Sequence, residues 1–264
     1  MVDGQSTALS GRHAVVTGGG RGIGAAIARR LASSGARLSL LGRDRARLDA
    51  TAAEIAQACR TETAAFTCDV SDDESVAAAV SAARQRFGGI SILINNAGQA
   101  QPADFARMKR ALWDRMIAVN LTGAYLCTQQ ALPDMLSAGD GRVVMIASTA
   151  GLRGYKQVSA YCAAKHGVIG LVRALALETA RRGITVNAVC PGYTDTDLAA
   201  AAAAGIAQAM GKTLPEANAM LVAGIPQGRL MTPEEIADTV AFLCSPGAAG
   251  ITGQAIAVAG GEVM

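Results

Sequence analysis

The chain has 264 residues, 51% of them hydrophobic but only 3% aromatic, and its formal net charge is +3. This length suits one large α/β domain, and so small and dispersed a charge argues against a nucleic-acid partner. Because aromatic side chains are scarce, the core must be built mainly from Ala, Val, Ile and Leu.

Strand and helix patterns alternate along the whole sequence. The predicted strands are 12–17, 37–42, 64–69, 90–95, 141–148, 184–190 and 254–259. The predicted helices are 22–34, 44–60, 72–87, 105–137, 155–182 and 232–244, with Pro133 ending or kinking the fourth. This alternation predicts an α/β fold with a doubly wound, parallel, seven-stranded sheet (a Rossmann fold) in a single domain, 1–264. Residues 1–9 are expected to form a flexible tail.

A glycine-rich turn separates the first strand from the first helix. Its sequence is Gly18-Gly19-Gly20-Arg21-Gly22-Ile23-Gly24. Glycines in that position allow a tight turn and let the backbone approach a pyrophosphate, which then lies at the helix N-terminus. A turn without a ligand is the alternative, but the flanking strand and helix favour a dinucleotide site.

The end of the second strand bears on the choice of cofactor. An acidic residue there would bind the ribose 2′-hydroxyl of NAD, whereas an arginine can pair with the 2′-phosphate of NADP. Here the strand ends at Gly42, followed by Arg43 and Asp44, and Arg21 projects from the glycine turn. Two guanidinium groups near one phosphate favour NADP(H). NAD(H) remains possible, because Asp44 either caps the next helix or weakens the phosphate site.

Tyr161 and Lys165 stand four residues apart in a predicted helix, thirteen residues after Ser148. Their side chains therefore point to the same side of that helix. A cation held there is expected to lower a phenol pKa that is normally about 10, which makes the tyrosine a proton donor and acceptor near neutral pH. Such pairs also arise by chance on solvated surfaces, but the glycine turn favours the catalytic interpretation.

Residues 194–228 interrupt the alternation between the last two strands. The segment is rich in alanine, with an unbroken run over 199–204 that favours helix but has little to anchor it. One interpretation is a pair of surface helices. The other is a mobile substrate lid, which its place after the carboxyl edge of a strand favours.

The cysteines and histidines limit the chemistry further. The six cysteines form no C-x-x-C pair, which indicates free thiols in a reducing, cytoplasmic setting. With only His13 and His166, no metal site is expected. We expect no cleavable signal peptide and no association with a membrane, since no apolar run approaches about 20 residues.

Several spaced motifs together resemble the classical short-chain dehydrogenase/reductase family in its single-domain form. They are Thr17-Gly18-x-x-x-Gly22-x-Gly24, Asn95-Asn96-Ala97-Gly98, Asn120, Ser148, Tyr161 with Lys165, and Pro191-Gly192. The resemblance extends from about Ser10 to Gly261, and no catalytic position departs from the family pattern.

The resemblance implies a role for each catalytic residue. Tyr161 would be the general acid in carbonyl reduction and the base in alcohol oxidation, and Ser148 would orient the carbonyl oxygen. Lys165 would lower the pKa of Tyr161 and bind the nicotinamide ribose. Asn120 would hold a water that links Lys165 to solvent, unless it only satisfies backbone groups in a bent helix.

The resemblance also implies a set of cofactor contacts. In chain order they are Gly18, Arg21, Gly22, Ile23, Gly24, Arg43, Asp69, Val70, Asn96, Ala97, Gly98, Tyr161, Lys165, Pro191, Gly192, Thr194 and Thr196. Asp69 and Val70 would meet the adenine, and Pro191-Gly192 would shape the nicotinamide pocket. Thr194 or Thr196 would bond the carboxamide or the diphosphate.

Substrate and assembly follow only from the overall likeness. The pattern resembles bacterial 3-oxoacyl-thioester reductases, polyketide ketoreductases and 3-hydroxyacyl dehydrogenases, which favours a 3-oxoacyl or similar β-keto substrate. A small free ketone, a sugar or a cyclic alcohol is the alternative, and Arg153 is either a contact for an anionic substrate group or a surface charge.

A homotetramer is expected through the helices around 105–137 and 155–182. A non-catalytic NADP-sensing protein is the remaining alternative, but it predicts a missing catalytic residue, and none is missing.

Overall fold

The seven strands form one parallel sheet, as the alternating pattern predicts, and their order is β3-β2-β1-β4-β5-β6-β7. The computed structural model describes residues 8–264. The strands are β1 His13–Thr17, β2 Arg37–Gly42, β3 Thr63–Thr67, β4 Ile92–Asn95, β5 Gly141–Ile146, β6 Ile184–Pro191 and β7 Ala255–Val258. The strand order reverses between β1 and β4, so a ligand crevice is expected at the carboxyl ends of these two strands.

Helices cover both faces of the sheet. They are α1 Gly22–Ser33, α2 Arg45–Cys59, α3 Asp73–Phe87, α4 Arg110–Ile117, α5 Gly123–Ala138, α6 Ser159–Thr179, α7 Asp197–Met210, α8 Leu214–Val222 and α9 Pro233–Cys244. One apolar core lies between the sheet and α1, α2 and α9. The other lies between the sheet and α3, α5 and α6. Burial on both faces explains why most of the strands read as near-continuous apolar runs.

Local capping fixes where the early helices begin and end. Gly35 follows α1 with φ 95°, a conformation that favours glycine. Asp72 caps α3 by accepting from the backbone amide of Glu74. Asp44 caps α2 by accepting from the amide of Arg47 at 3.1 Å, so the capping interpretation of Asp44 is correct.

The predicted helix 105–137 is interrupted in the structure. A short 3₁₀ turn at Phe105–Arg107 precedes α4, and a π-helical turn at Ala118–Thr122 joins α4 to α5. Pro133 lies inside α5 and does not end it. The helix instead continues to Gly139, whose φ of 66° provides the stop that the proline was expected to give.

The helix predicted over 155–182 begins later than expected, at Ser159. Gln157 has φ 64°, and a left-handed residue cannot continue into a right-handed helix. The residues before it form a loop that follows a 3₁₀ turn at Thr149–Gly151.

The start of the chain departs from the predicted tail at one residue. Of the nine tail residues, 1–7 lie outside the described part of the chain. Leu9 is buried in the core, and its amide donates to the carbonyl of Ser34 at 2.9 Å. The prediction is therefore wrong at Leu9, because its apolar side chain closes the core next to α1.

One helical stretch, Ser159–Arg182, is long and apolar enough to cross a membrane by length and composition. A core helix of a globular domain meets the same criterion. Val168, Ile169 and Val172 of this stretch are buried against the sheet, so we interpret it as a core helix.

Candidate active site

The glycine turn is shaped by a close approach of the backbone to itself. A Cβ atom on Gly24 would overlap the carbonyl oxygen of Gly18 and crowd the side-chain amide of Asn96. Gly18 itself has φ 66°. These positions require glycine, and the amides at the start of α1 are left facing the sheet edge, where a diphosphate would bind.

Thr17 and Asn96 brace this turn. Thr17 Oγ1 accepts from the backbone amides of Asn96 and Ala97, each at 3.0 Å. The side-chain amide of Asn96 donates to the Thr17 carbonyl at 2.9 Å. The predicted contacts Asn96, Ala97 and Gly98 therefore lie directly beside the glycine turn. In the sequence Thr17 is only one position of the glycine motif, whereas in the structure its hydroxyl holds the backbone of Asn96 and Ala97 in place.

A cluster of charged side chains lies at the outer edge of the glycine turn, and we call it the cofactor corner: Arg21, Arg43, Arg47 and Asp197. Arg21 Nη1 lies 2.9 Å from Asp197 Oδ2, and Arg47 Nη1 lies 3.8 Å from the same oxygen. Arg43 is exposed and forms no salt bridge within residues 8–264. The sequence reasoning missed Arg47 and Asp197, because only the fold brings the first turn of α7 to the glycine turn.

Asp69 and Val70 lie just past β3. The Asp69 carboxylate accepts from the hydroxyl of Ser71 at 2.6 Å and from its amide at 3.0 Å. These bonds hold the pKa of Asp69 below its usual value. Val70 is buried against Gly123, where a Cβ would stand 2.9 Å from a Val70 methyl. The pair is thus held rigidly at the edge of the crevice.

Three predicted catalytic residues come together at the ends of β5 and α6; with Asn120 we call them the catalytic centre. Ser148 follows β5, and its hydroxyl accepts from the amide of Ala150 at 3.1 Å. Tyr161 and Lys165 lie one turn apart in α6, with Nζ 5.6 Å from the centroid of the tyrosine ring. Lys165 is 4% exposed, and its ammonium donates to the carbonyl of Ile146 at 2.7 Å.

The protonation behaviour of this pair differs from the expectation. Although the ring keeps a partly exposed surface, burial raises the pKa of Tyr161 to about 12, and the nearby Ser148 hydroxyl opposes that rise. Burial lowers the pKa of Lys165 to about 8. The pKa of Tyr161 is therefore raised rather than lowered in the protein alone, because withdrawal from water exceeds the opposing effect of the Ser148 hydroxyl.

Asn120 lies in the π-helical turn and is 2% exposed. Its amide nitrogen donates to the carbonyls of Gln99 and Met116, both at 2.9 Å, and its oxygen accepts from the amide of Gln99 at 3.1 Å. These are the backbone contacts that the alternative interpretation of Asn120 anticipated. A cavity of about 10 Å³, roughly the size of one water molecule, lies between Asn120 and Lys165.

The residues after β6 lie next to the glycine turn. Gly192 follows Pro191 at the strand end. Thr194 Oγ1 donates to the Gly192 carbonyl at 3.1 Å, and Thr196 Oγ1 donates to the Thr194 carbonyl at 3.1 Å. The Thr196 methyl stands 3.4 Å from the Cβ position of Gly22, so Thr196 lies against the glycine turn.

Residues 194–228 form two helices, α7 and α8. Four apolar side chains form a small core between them, namely Ala203, Ala207, Ala217 and Leu221. The amide of Asp195 donates to the carbonyl of Met231 at 2.9 Å, and the amide of Met231 donates to Tyr193, also at 2.9 Å. The segment therefore has an anchor at its first residues, which the sequence did not reveal.

Arg153 is exposed, as its interpretation as a surface charge expects, but it is also held in a specific ion pair. Its guanidinium donates to the carboxylate of Glu262 at 2.7 Å, and the hydroxyl of Tyr155 reaches the same carboxylate at 2.7 Å. Neither Glu262 nor Tyr155 belongs to a recognisable motif of the sequence. No local pattern links positions this far apart, and only the fold brings the C-terminus to the loop after Ser148.

The chain matches, over residues 18–262, the family whose model is described as enoyl-(acyl carrier protein) reductase. It is 42% identical to a putative ketoacyl reductase of Streptomyces coelicolor, over 94% of this chain and 95% of that one. It is 41% identical to a cis-4-hydroxycyclohexanecarboxylate dehydrogenase of Sinomonas cyclohexanicum, over 96% and 97% of the two chains. Among solved structures, it is similar to a variant of actinorhodin polyketide ketoreductase with NADPH, at a TM-score of 0.92 and 41% identity, covering 95% of this chain and 97% of that one.

Proposed function

The chain belongs to the classical short-chain dehydrogenase/reductase family, and on that premise we propose that it reduces the ketone of a 3-oxoacyl thioester, or of a similar β-keto substrate, with NADPH. The observation that carries the proposal is the convergence of Ser148, Tyr161 and Lys165 beside the glycine turn. Such an enzyme interconverts a ketone and a secondary alcohol.

The chain's own residues supply orientation and the proton. The Ser148 hydroxyl holds the substrate carbonyl oxygen, and Tyr161 donates its phenolic proton to that oxygen as the alcohol forms. Because burial raises the pKa of Tyr161 to about 12, the phenol carries its proton throughout the neutral range. Bound NADPH supplies the hydride. Lys165 holds the nicotinamide ribose and steadies the phenolate that remains.

In this proposal the proton returns to Tyr161 through Lys165 and a water held beside Asn120. The cavity that both side chains line is just large enough for one water, which would accept a hydrogen bond from the lysine. Asn120 keeps the site's shape through its backbone bonds to Gln99 and Met116. In this proposal the two roles considered for Asn120 are compatible.

NADP(H) is favoured over NAD(H) by the chemistry of the cofactor corner. The exposed guanidinium of Arg43 follows β2, and Arg21 and Arg47 lie nearby. Gly42 offers no carboxylate at the strand end to bind a ribose 2′-hydroxyl, and Asp44 is engaged in capping α2. These residues fit a 2′-phosphate. Asp69 and Val70 would bound the adenine, and Pro191, Gly192, Thr194 and Thr196 would meet the nicotinamide and the diphosphate.

A second reaction is supported by one observation, the 41% identity to a dehydrogenase of a cyclic hydroxy acid. The same catalytic centre can run the reverse reaction, oxidising a cyclic secondary alcohol. A spectrophotometric screen separates the two proposals: NADPH oxidation with 3-oxoacyl thioesters is compared with NADP⁺ reduction with cyclic alcohols, at equal enzyme concentration. The β-keto proposal expects the thioesters to have the highest kcat/KM. A tenfold preference for a cyclic alcohol would replace it.

We infer that residues 194–228 act as a substrate lid. In support, Asp197, the first residue of α7, pairs with Arg21 of the glycine turn, and the α7–α8 pair has only a small core of its own. Amide hydrogen exchange over 199–212 tests this inference. We expect weak protection in the protein alone and slower exchange with NADPH and substrate bound. Equal exchange in both states would make the segment a static helix pair.

We also infer a cytoplasmic homotetramer assembled through α4–α5 and α6. Not every small residue in these helices is free for an interface, since Gly123 packs on Val70 and Val172 is buried in its own subunit. Gly170 and Leu177 face outward and support the proposed contact. Light scattering should give about 107 kDa, four times the 26.7 kDa chain. A mass of about 27 kDa would reject the assembly.

A further inference from the structure

A buried carboxylate joins the C-terminus to the loop that follows the catalytic serine. The Glu262 side chain is 4% exposed, and its Oε1 accepts from Arg153 and from the hydroxyl of Tyr155, each at 2.7 Å. Arg153 also donates to the Glu262 carbonyl at 3.3 Å and stacks on the Tyr155 ring, with Cζ 4.7 Å from the ring centroid. We call these three residues the C-terminal clasp. Its bonds are charge-assisted and therefore stronger than neutral ones.

The clasp reaches the catalytic serine through one more side chain. The Tyr155 hydroxyl lies 2.8 Å from Oγ1 of Thr149, the buried residue that follows Ser148. A phenol has one proton to donate. Because Tyr155 donates it to the carboxylate of Glu262, its oxygen accepts a hydrogen bond from the threonine hydroxyl. The direction of both bonds is thus set by Glu262. Its loss would release Tyr155, and with it the turn that carries Ser148.

The other oxygen of the carboxylate faces the opposite wall of the site. Glu262 Oε2 is buried, has no hydrogen-bond partner within residues 8–264, and stands 3.0 Å from the Cβ position of Gly192. Burying an unpartnered polar atom costs free energy, so it calls for an explanation. The carboxylate fills the space between the Ser148 turn and the backbone that follows Pro191.

We propose that Glu262 is a positioning residue for carbonyl reduction. It acts through Tyr155 and Thr149 on the turn that carries Ser148, and its Oε2 fills the space beside Gly192 in which a Cβ atom would lie. The proposal rests on the proposed roles of Ser148 and Gly192, which are to orient the carbonyl and to bound the nicotinamide. By holding the Ser148 turn and the backbone of Gly192 in a fixed arrangement, Glu262 limits the orientations of a prochiral ketone between them, and so limits which face meets the hydride. This positioning role does not depend on whether the cofactor is NADPH or NADH.

The product enantiomer ratio tests this role. Glu262→Ala should raise the share of the minor alcohol at least fivefold and lower kcat about tenfold, because small displacements of reacting groups are costly. The dissociation constant of NADPH, measured by its fluorescence, should stay within about twofold. Glu262→Gln keeps an acceptor for Tyr155 and should restore most of the selectivity. Tyr155→Phe, a smaller change, should reproduce part of the loss of enantiomer selectivity.

Asp134→Ala is the matched control. It removes a carboxylate that binds Arg84 at 2.9 Å and the amide of Ile90 at 2.9 Å, away from the catalytic centre. It should lower the melting temperature and leave the enantiomer ratio unchanged. A wild-type ratio and a wild-type kcat in Glu262→Ala would overturn the proposal and leave the clasp a purely stabilising feature.

Hydrogen exchange provides a readout that needs no substrate. The amides of Gly151, Leu152 and Arg153 donate to the carbonyls of Ser148 and Thr149 at 2.9 to 3.0 Å. In Glu262→Ala these amides should exchange at least tenfold faster than in the wild type, and in Asp134→Ala they should not. Equal exchange in Glu262→Ala and wild type would overturn the proposal even if the protein reduces no β-keto substrate, so the two failures remain distinguishable.

Discussion

The catalytic centre and the cofactor corner lie on the same edge of one sheet but are built in opposite ways. Lys165 and Asn120 are 4% and 2% exposed, and both make short hydrogen bonds to backbone carbonyls. In the corner, the side chains of Arg21 and Asp197 are 65% and 71% exposed. Buried polar groups must be paired in a fixed geometry, whereas exposed ion pairs compete with water and salt.

The difference assigns the two regions different tasks. The catalytic centre depends on geometry, because its buried donors are held by fixed hydrogen-bond partners. The cofactor corner depends on summed charge, because its exposed ion pairs, those of Arg21 and Arg47 with Asp197, hold their partners only weakly. Substitutions in the centre should therefore change turnover, and substitutions in the corner should change the affinity for one cofactor over another.

Removing the acid should have the largest effect. Tyr161→Phe should lower kcat by roughly 10²-fold or more, the scale of lost general acid catalysis, and leave NADPH binding nearly intact. Steady-state kinetics and NADPH fluorescence measure the two quantities. Tyr125→Phe loses a hydroxyl on the exposed face of α5 and should behave like the wild type. Turnover of Tyr161→Phe within threefold of the wild type would remove Tyr161 from the chemistry.

In the cofactor corner, Arg43→Ala should raise the KM for NADPH about 10- to 150-fold with little change for NADH. The expectation follows from the loss of a charge-assisted pair worth roughly 1.5–3 kcal/mol. Arg45→Ala is the matched control, because Arg45 is exposed two residues away and pairs with Asp49 at 2.8 Å. A wild-type enzyme that prefers NADH would contradict the assignment of the corner, whatever the variant does.

The pH dependence should separate the two directions of the reaction. Lys165, with a pKa of about 8, loses its charge as the pH rises from 7 to 9, so the reduction rate should fall about tenfold. Oxidation needs the phenolate of Tyr161, whose pKa is about 12, so its rate should rise over the same range. Arg43→Ala should keep both slopes, since they belong to the catalytic centre. If the rates of reduction and oxidation changed in the same direction between pH 7 and 9, the roles of Lys165 and Tyr161 would be refuted.

The smallest effect is expected at the carboxylate of the corner. Asp197→Asn frees Arg21 from its 2.9 Å pair and removes a negative charge near the expected 2′-phosphate. Exposed pairs are worth about 0.2–1 kcal/mol, so the KM for NADPH should fall about 1.4- to 5-fold and that for NADH should not change. Asp49→Asn, on the outer face of α2, should change neither. A rise in the KM for NADPH would mean that Asp197 helps to hold the cofactor.

The sequence predicts the buried half of the molecule well and the exposed half less well. Strand periodicity and the order of the motifs lead directly to the sheet and to Tyr161 and Lys165, because neighbours along one helix turn are neighbours in space. The bonds of Arg153 to Glu262 and of Arg21 to Asp197 join residues far apart in the chain, and no local pattern encodes them.

Two local departures have equally physical causes. The pKa of Tyr161 moves against the predicted direction, because desolvation in the folded protein exceeds the opposing hydrogen bond of Ser148. Pro133, expected to end or kink the helix predicted over 105–137, lies inside α5, and this helix ends at Ala138, before the left-handed Gly139. Sequence periodicity predicts neither the degree of desolvation of a side chain nor the backbone conformation that ends a helix.

The measurement that tests the division of tasks most directly is the kcat/KM for NADPH of the double variant Tyr161→Phe/Arg43→Ala, compared with both single variants. The two side chains lie on different elements and share no partner, so their effects should multiply to within about twofold. A departure of fivefold or more would contradict the account, because it would mean that the catalytic centre and the cofactor corner act as one unit.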